Sequence, residues 1–243
     1  MEETINFEVY KYSDIGYRDR NQDAYYYAYG FNPTTKKQQG IFAVADGIAG
    51  AGCQYSEIAA QKAVDFVRRW WIGAMPLDEA LILERLNEGF EHLQDELKDY
   101  ARNPENGINR YGTTLSVLVI YGDKGYFGHI GDSVICANGP SEGYRQFSET
   151  HATVRPTGGK KNVLTRCLSN LKVPSIAQIG SFDLDQSQGQ WYFVVTDGAL
   201  EGGARYNINK YSRVRKEEVC HEIVRQSRRN GGKDNATVIG ITF

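Results

Sequence analysis

TTLSVLVIYGDKGYFGHI, residues 113–130, holds two strand-like runs on either side of a short polar turn. The first run is dense in β-branched residues, and Gly122, Asp123, Lys124 and Gly125 lie between it and the second. β-branched side chains fit a pleated surface, and a glycine-rich step reverses the chain within a few residues. A parallel crossover needs a dozen residues or more. The stretch therefore predicts an antiparallel hairpin, and a protein whose sheets are built from hairpins rather than from βαβ units.

Working outward, further strand-like runs fall at 5–12, 24–30, 40–46, 133–138, 191–196 and 236–243. Two long helices interrupt them. Ala59, Ala63, Phe66, Val67 and Trp70 recur at helical spacing, as do Ile82, Leu86, Phe90, Leu93, Leu97 and Ala101, so each stripe should face a sheet. A third helix is expected near 215–229, carrying Val219, Ile223 and Val224. Runs of strands broken by helices imply an α+β fold, layered. With no linker and no repeat along the chain, one domain is expected over 1–243.

Composition narrows the function classes. The chain has 243 residues, 41% of them hydrophobic, enough for a substantial core. A net charge of −2 leaves no electrostatic footprint for nucleic acid, so no nucleic-acid partner is expected. The start, MEETINFEVYKYSD, is acidic without an apolar h-region, and no apolar run is long enough to cross a bilayer. A soluble cytoplasmic protein with no membrane partner is expected. Cys53, Cys136, Cys167 and Cys220 are far apart with no CxxC pair, which reads as reduced thiols rather than a zinc site or disulfide scaffold. GIAGAG at 47–52 lacks the Lys-Ser/Thr of a P-loop. Tyr25, Tyr26, Tyr27, Trp70 and Trp71 read as packing residues.

Four aspartates sit where an apolar run meets a turn: Asp23 in NQDAYYYAY, Asp46 in GIFAVADG, Asp197 in WYFVVTDG and Asp234 in GGKDNATVIGI. Strands end at the rim of a core, so carboxylates at their ends can converge from distant parts of a chain. Carboxylate oxygens suit hard cations such as Mg²⁺ or Mn²⁺. Asp-Gly is also ordinary turn chemistry, and one such site alone would read as structural. Arg18 precedes Asp23 by five residues in SDIGYRDRNQD, and a guanidinium beside metals suits phosphate oxygens.

GYRDRNQD, VADGIAG, YGTTLSVLVI, GHIGDS, SETH, NVLTRCL, VVTDG and KDNATVI occur in an order that resembles the metal-dependent PPM, or type 2C, serine/threonine phosphatases. The resemblance spans nearly the whole chain. It implies a four-layer α-β-β-α sandwich of two antiparallel sheets flanked by helix pairs, with a dimetal site at one end. By residue-wise transfer, Asp46 would bridge two Mn²⁺ or Mg²⁺ ions, the Gly47 carbonyl would contact one, and Asp197 and Asp234 would hold the other. Asp23 would act through metal-bound water, Asp132 would help hold a third, weaker ion, and Arg18 would take the substrate phosphate. Asn235 would support the Asp234 turn. The implied reaction is direct attack of a metal-bridging water on phosphoserine or phosphothreonine in a protein, opposing a cognate serine/threonine kinase. A compact bacterial-type monomer is expected.

Several residues depart from the family pattern. Ile48 stands where many relatives carry a histidine proposed as general acid, and Gln22 where many carry a glutamate. Thr150 precedes His151 where an aspartate is usual, and Val134 follows GDS where arginine is common. His151 itself reads as a structural hydrogen-bonding residue. Only ATVRPTGGKK separates His151 from NVLTRCL, so the flap subdomain, about 152–161, is expected to be very short or absent. Substrate choice would then fall to other loops such as 202–213. Two alternatives stay open: a regulatory phosphoprotein-binding member of the same fold, and a hydrolase of small phosphate esters.

Overall fold

A computed structural model describes residues 6–48, 53, 55–75, 77–108, 110–140, 143–154, 162–201 and 214–243. In chain order the elements are β1 (Glu8–Asp14), β2 (Asp23–Phe31), β3 (Gln38–Asp46), α1 (Ser56–Gly73), α2 (Ile82–Arg102), β4 (Gly112–Thr113), β5 (Leu115–Tyr121) and β6 (Lys124–Ile130). They continue with β7 (Val134–Gly139), β8 (Gly143–Gln146), β9 (Ala152–Val154), β10 (Asn162–Leu164), β11 (Leu168–Ser169), β12 (Gln178–Asp183), β13 (Trp191–Val195), α3 (Val219–Arg229) and β14 (Ala236–Thr242).

The hairpin expected within 113–130 forms between β5 and β6. Tyr121 pairs with Lys124, leaving Gly122 and Asp123 as the turn. Gly122 has φ 62°, the conformation that a type II′ turn requires at its first central residue and that glycine adopts without steric cost.

Two five-stranded antiparallel sheets follow, ordered β12-β6-β5-β3-β2 and β1-β14-β13-β7-β8. Three apolar layers hold them. Ile41, Ala43, Ala45, Val117 and Val119 face α1 and α2, whereas the alternate residues Phe42, Val44, Leu118 and Ile120 meet Ile135, Tyr192, Val194, Ile239 and Ile241 between the sheets. On the far side Phe193, Val195, Ala236 and Val238 pack against Val219, Ile223 and Val224 of α3. A strand buried on both faces has no solvent-facing polar side, which is why 41–45 and 117–120 read as unbroken apolar runs. Each large apolar side chain so buried contributes about 1.5–3 kcal/mol.

The architecture is thus the expected α+β sandwich of four layers, with α1 and α2 on one outer face and, among the described residues, α3 on the other. The expected strand 113–121 is divided: Gly112 and Thr113 pair with β11, and Thr114 turns its N–H to the Asp46 carbonyl at 2.9 Å. Strands β8 to β12 were not foreseen. β12 is a sheet edge with half-exposed side chains, so it lacks the apolar alternation that marks a buried strand. At the expected flap, β9 and β10 form a small hairpin pairing Val154 with Asn162, and 155–161 lie outside the described residues. The loop 202–213 lies outside them too. Trp71 is buried, and Tyr26 and Trp70 pack against the core under α1 and α2. All four cysteines are free thiols. No helix among the described residues is long and apolar enough to cross a membrane.

Candidate active site

Asp23 opens β2 and Asp46 closes β3, and the antiparallel register places them directly opposite one another. Asp197 follows β13, Asp132 lies between β6 and β7, and Asp234 precedes β14. All five therefore gather at one end of the sandwich. Glycines permit the approach. A Cβ on Gly47 would fall 2.4 Å from the Ser56 carbonyl oxygen, and one on Gly198 would fall 1.9 Å from that of Asn235, so no other residue fits either position unless the backbone moves. The Gly198 contact holds the Asp197 turn against the Asp234 turn.

Crowding of acids in a poorly solvated place shows in their protonation. Burial, then the charges of Asp23 and Asp197, raise the Asp46 carboxyl well above the usual carboxylate range. Burial pushes Asp197 up to about 8, with the neighbouring charge of Asp132 adding to it. Asp23 rises to about 6 because of burial, opposed by hydrogen bonds from Thr237 and Thr196, and burial raises Asp132 as well. One oxygen of Asp23 and one of Asp197, Oδ1 in each, are buried without a hydrogen-bond partner. Unpaired buried carboxylate oxygens are costly, and a bound cation is the group that relieves both the desolvation and the mutual repulsion.

Asp234 is engaged differently. Its Oδ2 accepts from Arg18 Nη2 at 2.6 Å, and its Oδ1 from the Asn235 N–H at 2.9 Å. In keeping with this, no group of three or more His, Cys, Asp or Glu side chains among the described residues is gathered tightly enough to hold a metal ion as it stands. The donor chemistry of these carboxylates fits a hard cation.

Asn235 staples the loop that carries Arg18. Its Oδ1 accepts from the Gln22 N–H at 2.9 Å, and its Nδ2 donates to the carbonyls of Ile15 and Arg20 at 2.8 and 3.0 Å. Arg228 of α3 holds Asp14 at the start of the same loop through Nε and Nη2. His151 braces the Asp132 turn: its N–H donates to the Gly131 carbonyl at 2.8 Å, and its Nδ1 accepts from the Gly131 N–H at 3.2 Å. Behind Asp46, Thr114 Oγ1 accepts from the Asp46 N–H at 3.0 Å and lies 2.8 Å from Ser133 Oγ. Thr114, Ser133, Thr196 and Thr237 had no role in the sequence reading. They stand within GTT, GDS, TDG and NAT, but nothing in the one-dimensional pattern shows that Thr196 and Thr237 reach the Asp23 carboxylate or that Thr114 takes the Asp46 N–H.

The sequence pattern of protein phosphatase 2C matches residues 12–235, nearly the whole chain, and takes in all of these side chains except Thr237. The chain belongs to the protein phosphatase 2C family. Membership makes it a phosphoprotein phosphatase by family. Solved structures share the fold. The serine/threonine phosphatase Stp1 from Staphylococcus aureus is 19% identical, with 98% of this chain and 95% of that one covered at a TM-score of 0.82. The Mycobacterium tuberculosis serine/threonine phosphatase PstP is 20% identical, with 98% of each chain covered at 0.77. A PstP catalytic domain in complex with two manganese ions is 19% identical, with 97% of each chain covered at 0.76. No curated protein sequence matches the chain. In this phosphatase 2C chain the two-stranded sheet of β4 and β11 and the hairpin of β9 and β10 lie outside the two five-stranded sheets.

Proposed function

We propose that the chain hydrolyses phosphoserine and phosphothreonine in proteins, with Mn²⁺ or Mg²⁺ as cofactor. The observation that carries this reading is the cluster of Asp23, Asp46, Asp132 and Asp197, each raised above the usual carboxylate range by burial, with an unpartnered oxygen on Asp23 and on Asp197, beside a loop that presents an arginine. The related PstP structure with two manganese ions supports the choice of cation.

Asp46, Asp197, Asp234 and the Gly47 carbonyl would hold two cations, with Asp23 and Asp132 at the border of the set. Bound there, divalent cations supply Lewis acidity that lowers the pKa of water toward neutrality and offsets charge on phosphate oxygens. The chain's own residues do the rest. Arg18 is about one-third exposed and sits at the rim, where its guanidinium can take two phosphate oxygens at once. With Asp234 holding a cation, Arg18 would be without its carboxylate partner and free for phosphate, which would link cation uptake and phosphate recognition through one ion pair. The Asn235 staple and the Arg228–Asp14 pair keep the Arg18 loop in place while its partner changes. The whole of 1–243 serves as one catalytic domain, acting on the product of a serine/threonine kinase.

Hydrolysis of a phosphothreonine peptide with Mn²⁺, with Mg²⁺ and with EDTA, alongside Asp197→Asn, tests the proposal. Metal-dependent phosphate release that disappears in the variant is the expected result. Phosphopeptide binding without turnover would replace the proposal with a regulatory role, and a strong preference for small phosphate esters would replace the protein substrate.

A further inference from the structure

Asp23 is held in an asymmetric way that the carboxylate cluster alone does not explain. Both hydroxyls that reach it arrive at the same oxygen. Thr237 Oγ1 donates to Oδ2 at 2.7 Å and Thr196 Oγ1 donates to Oδ2 at 2.8 Å, while Oδ1 is buried and unpartnered. A hydroxyl has one proton, so the remaining contacts of each threonine must be accepted ones. Thr196 Oγ1 accepts from the Thr237 N–H at 2.9 Å. Thr237 Oγ1 lies 2.9 Å from Ser13 Oγ, which makes Ser13 the donor. Ser13 Oγ in turn accepts from Asn21 Nδ2 at 3.2 Å.

Every proton in this chain of contacts points toward Asp23. With the Asp23 carboxylate ionised, the count of donors allows only one arrangement, in which Oδ2 accepts from both threonines. We propose that Thr196 and Thr237 are positioning residues: they hold Asp23 Oδ2 so that Oδ1 is the oxygen presented to the cation site, and they thereby set the affinity of that site. The backbone makes the device rigid. The Thr196 N–H donates to the Thr237 carbonyl at 3.0 Å, Asp23 is locked in register opposite Asp46, and the Asp23 N–H donates to Asn21 Oδ1 at 3.1 Å. Both threonines are fully buried, so no water can stand in for a lost hydroxyl. Hydrogen bonds to an ionised carboxylate are roughly twice as strong as neutral ones, and such supporting partners set ligand orientation.

The inference rests on the phosphatase reading for the identity of the cation. Calorimetric titration of the full chain with MnCl₂ tests it in the wild type, Thr196→Val, Thr237→Val and Thr237→Ser, with unfolding in EDTA recorded for each. Valine preserves the shape of threonine and removes only the hydroxyl. Each valine variant is expected to bind Mn²⁺ roughly 10-fold more weakly or worse, the usual loss when a ligand's supporting hydrogen bond is removed. Thr237→Ser, which keeps the hydroxyl and loses the methyl, is expected to bind as the wild type does. Wild-type affinity in the valine variants, or a serine variant as weak as the valine one, overturns the inference and leaves the phosphatase reading intact. A wild type that takes up no Mn²⁺ overturns both. If one valine variant fails to fold, the other and Thr237→Ser decide between these outcomes.

Discussion

Replacing Asp197 by asparagine should stabilise the metal-free protein while abolishing its response to metal. The Asp197 carboxyl is raised from 3.8 to about 8 in the folded chain, chiefly by burial. At pH 7 the folded state therefore keeps a proton that the unfolded state releases, at a cost of about 4 kcal/mol. The hydrogen bond from Asp46 favours the ionised form of Asp197 and offsets part of that cost. An asparagine oxygen can accept from Asp46 in the same way, and the amide needs no proton from solvent. We expect about 2 kcal/mol of the cost to be recovered, which for a chain of this size raises Tm by about 4–8 °C. A raised acid contributes most stability below 3.8 and loses it as pH rises toward 8, so the gap between variant and wild type should widen from pH 5 to pH 8. Differential scanning calorimetry in EDTA reads both effects, and a repeat in MnCl₂ should raise the wild type but not the variant. A variant that melts at or below the wild type in EDTA, or that gains as much from Mn²⁺, would refute the reasoning.

Arg18→Ala should raise KM for a phosphothreonine peptide without weakening Mn²⁺ binding, because Asp234 loses a competitor; its partly exposed pair should cost stability no more than about 1 kcal/mol. Weaker Mn²⁺ uptake in that variant would count against the proposed linkage. Gly198→Ala must push the Asp197 and Asp234 turns apart, so its urea midpoint should fall by the equivalent of at least about 1–3 kcal/mol, and an unmoved midpoint would show that the contact yields freely. His129 is held neutral by burial, down from 6.5 to about 3, with Nε2 donating to the Glu149 carbonyl at 2.8 Å and Nδ1 accepting from Ser116 Oγ. Its contribution is complete above 6.5 and is lost as pH falls toward 3, at roughly 1.4 kcal/mol per pH unit, so the advantage of wild type over His129→Gln should shrink between pH 7 and pH 5. A constant difference across that range would exclude this role.

The strands that the sequence revealed include those buried on both faces, β3, β5, β13 and β14, where apolar residues dominate, together with β6, β7 and the half-exposed edge strands β1 and β2. Those it concealed are short or lie at edges. β12 mixes exposed and half-buried positions, and β4 and β11 are two residues each, too short for any periodicity to register. The long helices were legible from the stripe at 82–101, whose Ile82, Leu86, Phe90, Leu93 and Leu97 are all buried.

The candidate site divides in the same way. Local chemistry marked Asp23, Asp46, Asp197 and Asp234, since a carboxylate where an apolar run meets a turn is visible within a few residues, and it marked Arg18 by its nearness to Asp23, whereas Asp132 followed only from the family resemblance. What each group faces depends on contacts between segments far apart in the chain. Arg18 meets Asp234 across 216 positions, and Thr237 meets Asp23 across 214. The chain therefore determined by itself which residue types stand at the strand ends, how tightly each turn can close, and the α+β class. Only the tertiary structure decided that Asp234 is paired with Arg18, that two threonines grip a single oxygen of Asp23, and that four acids share a space with too little solvent to ionise them all. Hydrogen-bond direction and desolvation arise where separate strands meet, and neither is a property of any one segment.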